Sequence, residues 1–223
     1  MEKNEKKTPR ERIMENYVDH VLTHGEKPAS VYAFMKKLRL PEALFYENYP
    51  SFEELEAGIW KDIFMETLAA VSSSAEYASF SARDKALALF YGFTEAMKPR
   101  RSFILYSFRS SSGKLGEVRV LRRTRESFNS YCGNIIRAGL ESGELSDRKY
   151  LSERYKDALW LQFVFIIRFW TKDSSPDFEK TDEAIEKGVQ LTFDLMGHSP
   201  IDNLVEYGKF LFRNARFVYE GAK

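Results

Sequence analysis

The chain has 223 residues, and its 34 Lys and Arg against 33 Asp and Glu give a formal net charge of +1. That balance excludes a polyelectrolyte binder, so any affinity for nucleic acid has to come from a local patch. Apolar residues make up 43% and aromatics 15%, enough for a substantial core, while the single Cys132 excludes an internal disulfide framework and fits a reducing compartment.

The length suits a small head on a larger body. The charged start, MEKNEKKTPRER, has no apolar stretch after it, so a secretory signal is not expected. The strongest apolar run, ALWLQFVFIIRFW (158–170), is too short to span a bilayer and is broken by Gln162 and Arg168. A cytoplasmic protein is expected, with no membrane partner.

Helix punctuation is frequent and strand signals are scarce. Thr8-Pro9-Arg10-Glu11 is a capping box with proline at the first helical position, and Gly25 suits the far end. Between them Ile13, Tyr17, Val18, Val21 and Leu22 recur at helical spacing. Ser30 caps a second helix over 31–38. Pro41 opens a third, which must stop near Pro50 because proline disfavours helix in the residue before it. Ser51-Phe52-Glu53-Glu54 is another capping box, starting a long amphipathic helix with Leu55, Ile59, Ile63, Phe64, Leu68 and Val71 on its apolar face. The pattern breaks over 72–80, where the head helix gives way to the body. Further helices are predicted over 82–98, 101–109, 116–142, 149–172, 177–196 and about 201–219. The fold class is all-α: a three-helix head over 1–55, and a body over 56–223 that ends in an extra helix, with about nine or ten helices in all.

Helix, short helix, tight turn, short helix is the helix-turn-helix plan, whose second short helix enters the major groove. SVYAFMKKLRLPEALFYENY (30–49), followed by PSFEEL (50–55), resembles the DNA-binding head of TetR-type transcriptional regulators. Ser30, Leu40, Tyr46, Tyr49, Ser51, Glu53 and Leu55 fall where that pattern expects such residues. IIRAGLESGELSD (135–147) is similar to a stretch that many members carry at the end of a long body helix. Three positions depart from the pattern: Arg39 stands where the family favours glycine, Pro41 replaces a serine cap, and Phe52 replaces a lysine that reaches the DNA backbone. The third helix carries Glu42 and Glu47 and no Lys or Arg. Cations for phosphate contact must come from Lys27, Lys36, Lys37 and Arg39, and from Lys3, Lys6, Lys7, Arg10 and Arg12. Tyr46 and Tyr49 are candidates for phosphate contact through their hydroxyls, or for closing the head's core with their rings. Glu42, Ala43 and Asn48 complete the candidate reading surface, with Asn48 and Glu42 the polar groups for base edges.

In the body, the run from Lys98 to Arg125 holds nine cations against Glu117 alone. Either it receives an acidic partner or it forms a wet helix face with pairs such as Arg122 and Glu126 at i,i+4. His20 and His24 also lie at i,i+4, but no third ligand stands near, so no metal is expected. No nucleophile, phosphate loop or paired-carboxylate motif supports catalysis, and no cofactor is expected. The aromatics Phe103, Phe108, Phe128, Tyr131, Trp160 and Phe163 are either core or, as the resemblance implies, the lining of a cavity for an apolar or aromatic effector. The helices over 149–172 and 177–196 correspond by order to the family's dimer pair. The first is apolar around much of its circumference and needs a second partner, with Phe163, Ile167, Trp170, Leu191 and Leu195 as the expected interface. The resemblance implies a homodimeric, ligand-responsive repressor that binds a double-stranded operator. The rival expectation is a TetR-like protein that binds lipid or a small molecule and has lost its grip on DNA.

Overall fold

Side-chain caps set most of the helix starts. In the computed structural model, which describes residues 7–110, 118–148, 152–197 and the single residues 207, 209 and 213, the helices are α1 (Pro9–His24), α2 (Val31–Leu38), α3 (Ala43–Asn48), α4 (Phe52–Ser72), α5 (Ala82–Met97), α6 (Arg101–Ser110), α7 (Arg122–Ser142), α8 (Tyr155–Trp170) and α9 (Glu179–Met196). Thr8, Ser30, Ser51 and Ser81 each accept a hydrogen bond from the backbone N–H three residues on, as N-cap residues do. No strand forms among the described residues, so the all-α class holds.

Three helices of the body begin later than the residue pattern predicts, α9 by two residues, at Glu179 instead of 177. The helix expected from residue 116 starts at Arg122, because Val118 is extended and Arg119–Leu121 forms a 3-10 turn. Val118 and Val120 are both buried, and side chains two residues apart lie on opposite sides of an α-helix, so a helical backbone there could not bury both against one core. The helix expected from 149 starts at Tyr155, after a 3-10 turn over Ser152–Arg154. The predicted last helix lies outside the described residues except Tyr207, Lys209 and Arg213, which are helical.

The buried side chains form one continuous core running from Ile13 in α1 to Met196 in α9. Helix α4 ties its two ends together. In its first half Glu56 accepts a 2.6 Å bond from the Tyr17 hydroxyl of α1, and Trp60 Nε1 donates to Ser107 Oγ of α6 at 3.0 Å. Farther along, Phe64 packs against Phe128 and Phe163. Phe163 is the centre of the body, with ring centroids of Phe93 and Phe128 at 4.8 and 4.9 Å, and of Trp160 and Phe90 at 5.8 and 5.9 Å. Each such ring contributes about 1.5–3 kcal/mol through the apolar surface it removes from water.

Candidate nucleic-acid interface

The turn between α2 and α3 carries the first departure from the family pattern. Arg39 adopts φ 57° and ψ 41°, the left-handed conformation that glycine takes at little cost. Its N–H donates to Lys36 O and the N–H of Leu40 to Met35 O, both at 3.1 Å, which is the Schellman arrangement that closes a helix end. The chain therefore makes the expected tight turn at a cost of about 1–2 kcal/mol in local strain.

Beyond this turn α3 is a rod of six residues, pinned from below. Phe45 and Tyr49 are 0% and 1% exposed, whereas Tyr46 is 54% exposed and Ala43 and Glu47 also face solvent. Glu42 and Asn48 are half-buried, and Asn48 Nδ2 donates to Leu44 O at 2.8 Å within the rod. The two tyrosines thus divide between surface and core. Tyr46 turns outward, and Tyr49 closes the core between α1 and α4, with the Arg10 guanidinium 6.0 Å from its ring centre. Burial pushes the Tyr49 hydroxyl pKa up, so the group stays neutral.

Several cations of the expected footprint are engaged. Lys7 pairs with Glu15 at 2.8 Å, Arg10 with Asp62 at 2.6 Å and Lys27 with Glu53 at 2.6 Å. The Lys27 ammonium holds the Glu53 carboxyl down at about 2. Arg12 donates to Leu38 O at 3.2 Å and so braces the end of α2. Lys3 and Lys6 lie outside the described residues. Lys36, Lys37 and Arg39 are exposed, and no carboxylate among the described residues pairs with them. Together with Tyr46 they form a polar, positive rim on the turn. Tyr32 belongs to the same surface and escaped the sequence reading. It is 59% exposed, and the Lys36 ammonium lies 5.7 Å from its ring centre. A large aromatic at an outward position of α2 was the available signal.

The basic run of the body is mostly bracing. Arg122 and Arg123 both reach Glu54 in the first turn of α4, with Arg123 at 3.0 Å, which corrects the expected Arg122–Glu126 pairing. Glu54 lies opposite the first turn of α7, so its carboxylate joins head to body instead of closing a capping box. Arg100 pairs with Glu66 at 2.8 Å, and Arg125 with Asp157 at 3.6 Å. The His20 and His24 rings stack at 4.2 Å, with His24 Nδ1 2.9 Å from His20 O, so their nitrogens do not converge on one point.

The six body aromatics are not brought together around one space. Phe128, Trp160 and Phe163 pack on one another, and Phe108 packs on Trp60. Tyr131 accepts from the Tyr77 hydroxyl at 2.6 Å and donates to Lys85 O at 3.2 Å. Phe103, 2% exposed, instead lines a groove between α1, α4 and α6. Of the expected interface residues, Phe163, Ile167 and Trp170 are buried within the subunit, while Leu191 and Leu195 are 60% and 46% exposed. On α8 the outward apolar side chains are Leu161 and Phe165, four residues apart. Helix α8 thus carries Phe163, Ile167 and Trp170 on the face turned to the subunit's own core, and Leu161 and Phe165 on the face turned to solvent. Gln162 and Thr192 join the two helices through a 2.8 Å hydrogen bond.

No helix among the described residues is long and apolar enough to cross a membrane. Comparison with solved structures gives folds of the same kind at low identity. The TetR transcriptional regulator of Nitrosomonas europaea ATCC 19718 superposes with a TM-score of 0.59 at 13% identity, over 83% of this chain and 98% of that one. A putative tetR family regulator from Shewanella sp. PV-4 gives 0.56 at 17%, over 86% and 100%. A Rhodococcus sp. RHA1 protein of unknown function gives 0.57 at 13%, over 89% and 100%. No curated protein matches the chain. The profile of the family described as "Tetracyclin repressor-like, C-terminal domain" matches residues 85–211, more than half of the sequence and all within the body. With that match in the body and a helix-turn-helix head in front of it, the chain belongs to the family of TetR-type transcriptional regulators.

Proposed function

We propose that the protein is a homodimeric, ligand-responsive repressor that grips DNA through α3 and the α2–α3 turn. The observation that carries this reading is the arrangement of α3, a short rod seated on Phe45 and Tyr49 with Tyr46 and Ala43 outward. Lys36, Lys37, Arg39 and Tyr46 contact phosphates, Glu42, Ala43 and Asn48 lie nearest the base edges, and Tyr49 fixes the rod's angle. The strip of Leu161, Phe165, Leu191 and Leu195 supports a second copy packing on α8 and α9, since large apolar side chains clustered in water mark an interface. Two heads then reach successive major grooves. An effector shifts the population between head spacings that fit the operator and those that do not.

A gel-shift titration with DNA from upstream of the protein's own reading frame, at low salt, tests the reading. Binding is expected to weaken with Tyr46→Ala, and Lys36→Ala is expected to lower the salt slope by about one. If no fragment shifts above the non-specific background, DNA recognition is refuted. The rival, a protein of this fold that binds lipid or a small molecule without gripping DNA, is favoured by one feature: α3 presents Glu47 and no cation. Bound lipid in mass spectra of the purified protein, with no gel shift, is the result that selects it.

A further inference from the structure

A groove of about 990 Å³ opens where α1 of the head meets α4 and the start of α6. Met14, Val18 and Leu22 from α1 line it, facing Ile63 and Met65 of α4 and Phe103 of α6. Leu22 and Met65 are each 45% exposed, so large apolar side chains stand in water on facing walls. Concave apolar surface of this size is what a small-molecule site offers.

The charges around it are arranged asymmetrically. Its cations are committed: Arg10 binds Asp62 at 2.6 Å, Arg100 binds Glu66 at 2.8 Å, and Lys98 binds Glu95 at 2.5 Å. Arg101 lies beside the stacked Trp170 and Phe178 rings, 4.7 Å from the centre of each, and donates to Asp173 O at 3.1 Å. On the other side Glu11, Glu15 and Asp19 recur every fourth residue along the edge of α1. Among the described residues Glu15 has only the water-exposed Lys7 as an ion-pair partner, and no cation pairs with Asp19. Glu11 and Asp19 against the guanidinium of Arg101 are then the lining charges without an ion-pair partner among the described residues, so the field offered to an occupant is weakly negative beside an apolar floor.

We propose that this groove binds an apolar organic cation, with its hydrocarbon on Val18, Leu22 and Met65 and its charge beside Asp19 and Glu15. The occupant touches the head through α1, the connector through α4 and the body through α6, and so fixes the head at one angle. This last step rests on the head being a DNA reader; the binding step does not.

Tetraphenylphosphonium and tetraphenylborate have the same shape and opposite charge, and calorimetric titration of each into the full chain separates charge from greasiness. The expected result is one saturable site for the phosphonium and affinity at least about tenfold weaker for the borate. Asp19→Asn, at an exposed position, weakens the phosphonium about fivefold, and Met65→Lys abolishes its binding. Equal affinity for the two ions, or titrations unchanged by both substitutions, overturns the site. If the phosphonium binds as described but leaves DNA affinity unchanged at saturation, the regulatory step is overturned and the site stands. Absence of any DNA binding refutes the function proposed above, while the titration still decides the site.

Discussion

Gly58 of α4 faces the ring of Tyr49, the residue that ends α3. A methyl group on the Gly58 Cα would stand 2.9 Å from Tyr49 Cε1 and 3.5 Å from a guanidinium nitrogen of Arg123. Tyr49 is 1% exposed and forms the end of α3, so its ring has no solvent to retreat into. In Gly58→Ala two effects oppose each other. Removing glycine from a helix interior stabilises by about 1 kcal/mol. Forcing extra volume into a filled site costs about 1–3 kcal/mol. The net is a destabilisation of about 1 kcal/mol, seen as a fall in Tm of about 2–4 °C for a chain of this size. Gly133 in α7 supplies the control, because a methyl there meets only Lys156 Cδ at 3.7 Å, the flexible part of a side chain. Gly133→Ala keeps the helix gain without the clash and is expected to raise Tm by about 2–4 °C. Circular dichroism melts of both variants make the comparison. In a Tyr49→Leu background, where the ring is gone, Gly58→Ala is expected to turn stabilising. If Gly58→Ala stabilises the unaltered protein as much as Gly133→Ala does, Tyr49 is not seated on α4 and the account of how α3 is held fails.

Arg39→Gly removes the left-handed strain of about 1–2 kcal/mol but loosens the unfolded chain by about 0.4–1 kcal/mol. The expected outcome is a small rise in Tm together with a salt slope of DNA binding lower by about one. Asp173 is buried, which raises its pKa, but hydrogen bonds from Thr181 and Ser175 side chains and backbone outweigh burial and hold it at about 2, against an ordinary 3.8. A depressed carboxyl pKa gives stability that is present above the ordinary value and lost as pH falls through the folded one. Asp173→Asn should therefore cost about 1–2 kcal/mol at neutral pH, with the gap in denaturant midpoint closing between about pH 4 and pH 2. Phe165→Lys with Leu191→Lys charges the exposed apolar strip without touching the core, and analytical ultracentrifugation is expected to show a dimer becoming a folded monomer. A dimer that survives the double substitution places the interface elsewhere.

The helix starts show where the residue pattern carried information. Those of α1, α2, α4 and α5 each follow a Ser or Thr whose side chain accepts from the first turn, and the pattern located them within a residue. Helices α7, α8 and α9 follow Leu121, Arg154 and Phe178, none of which makes a side-chain cap bond, and there the predicted starts ran early. Arg39 stands where the pattern favours glycine and takes the left-handed backbone that glycine favours, an outcome that the side chain itself did not announce. The split between Tyr46 and Tyr49 was not legible either, since both are aromatics three residues apart and only the position of α4 decides which is covered. Likewise Arg122 had a partner at helical spacing in Glu126, and only the crossing of α4 and α7 supplied Glu54 instead. Periodicity gives the number of apolar faces on α8; which face meets α5 and α7 is a property of the packed bundle.

Selection from a random-sequence DNA library at low salt, using the full chain and its Tyr46→Ala variant, tests the central claim most directly. The expected result is an enriched palindromic motif whose half-sites lie about 10 bp apart, the spacing of successive major grooves, with the variant losing the enrichment. No enriched sequence, or a motif without two-fold repetition that the variant binds equally well, contradicts a paired reader built on α3.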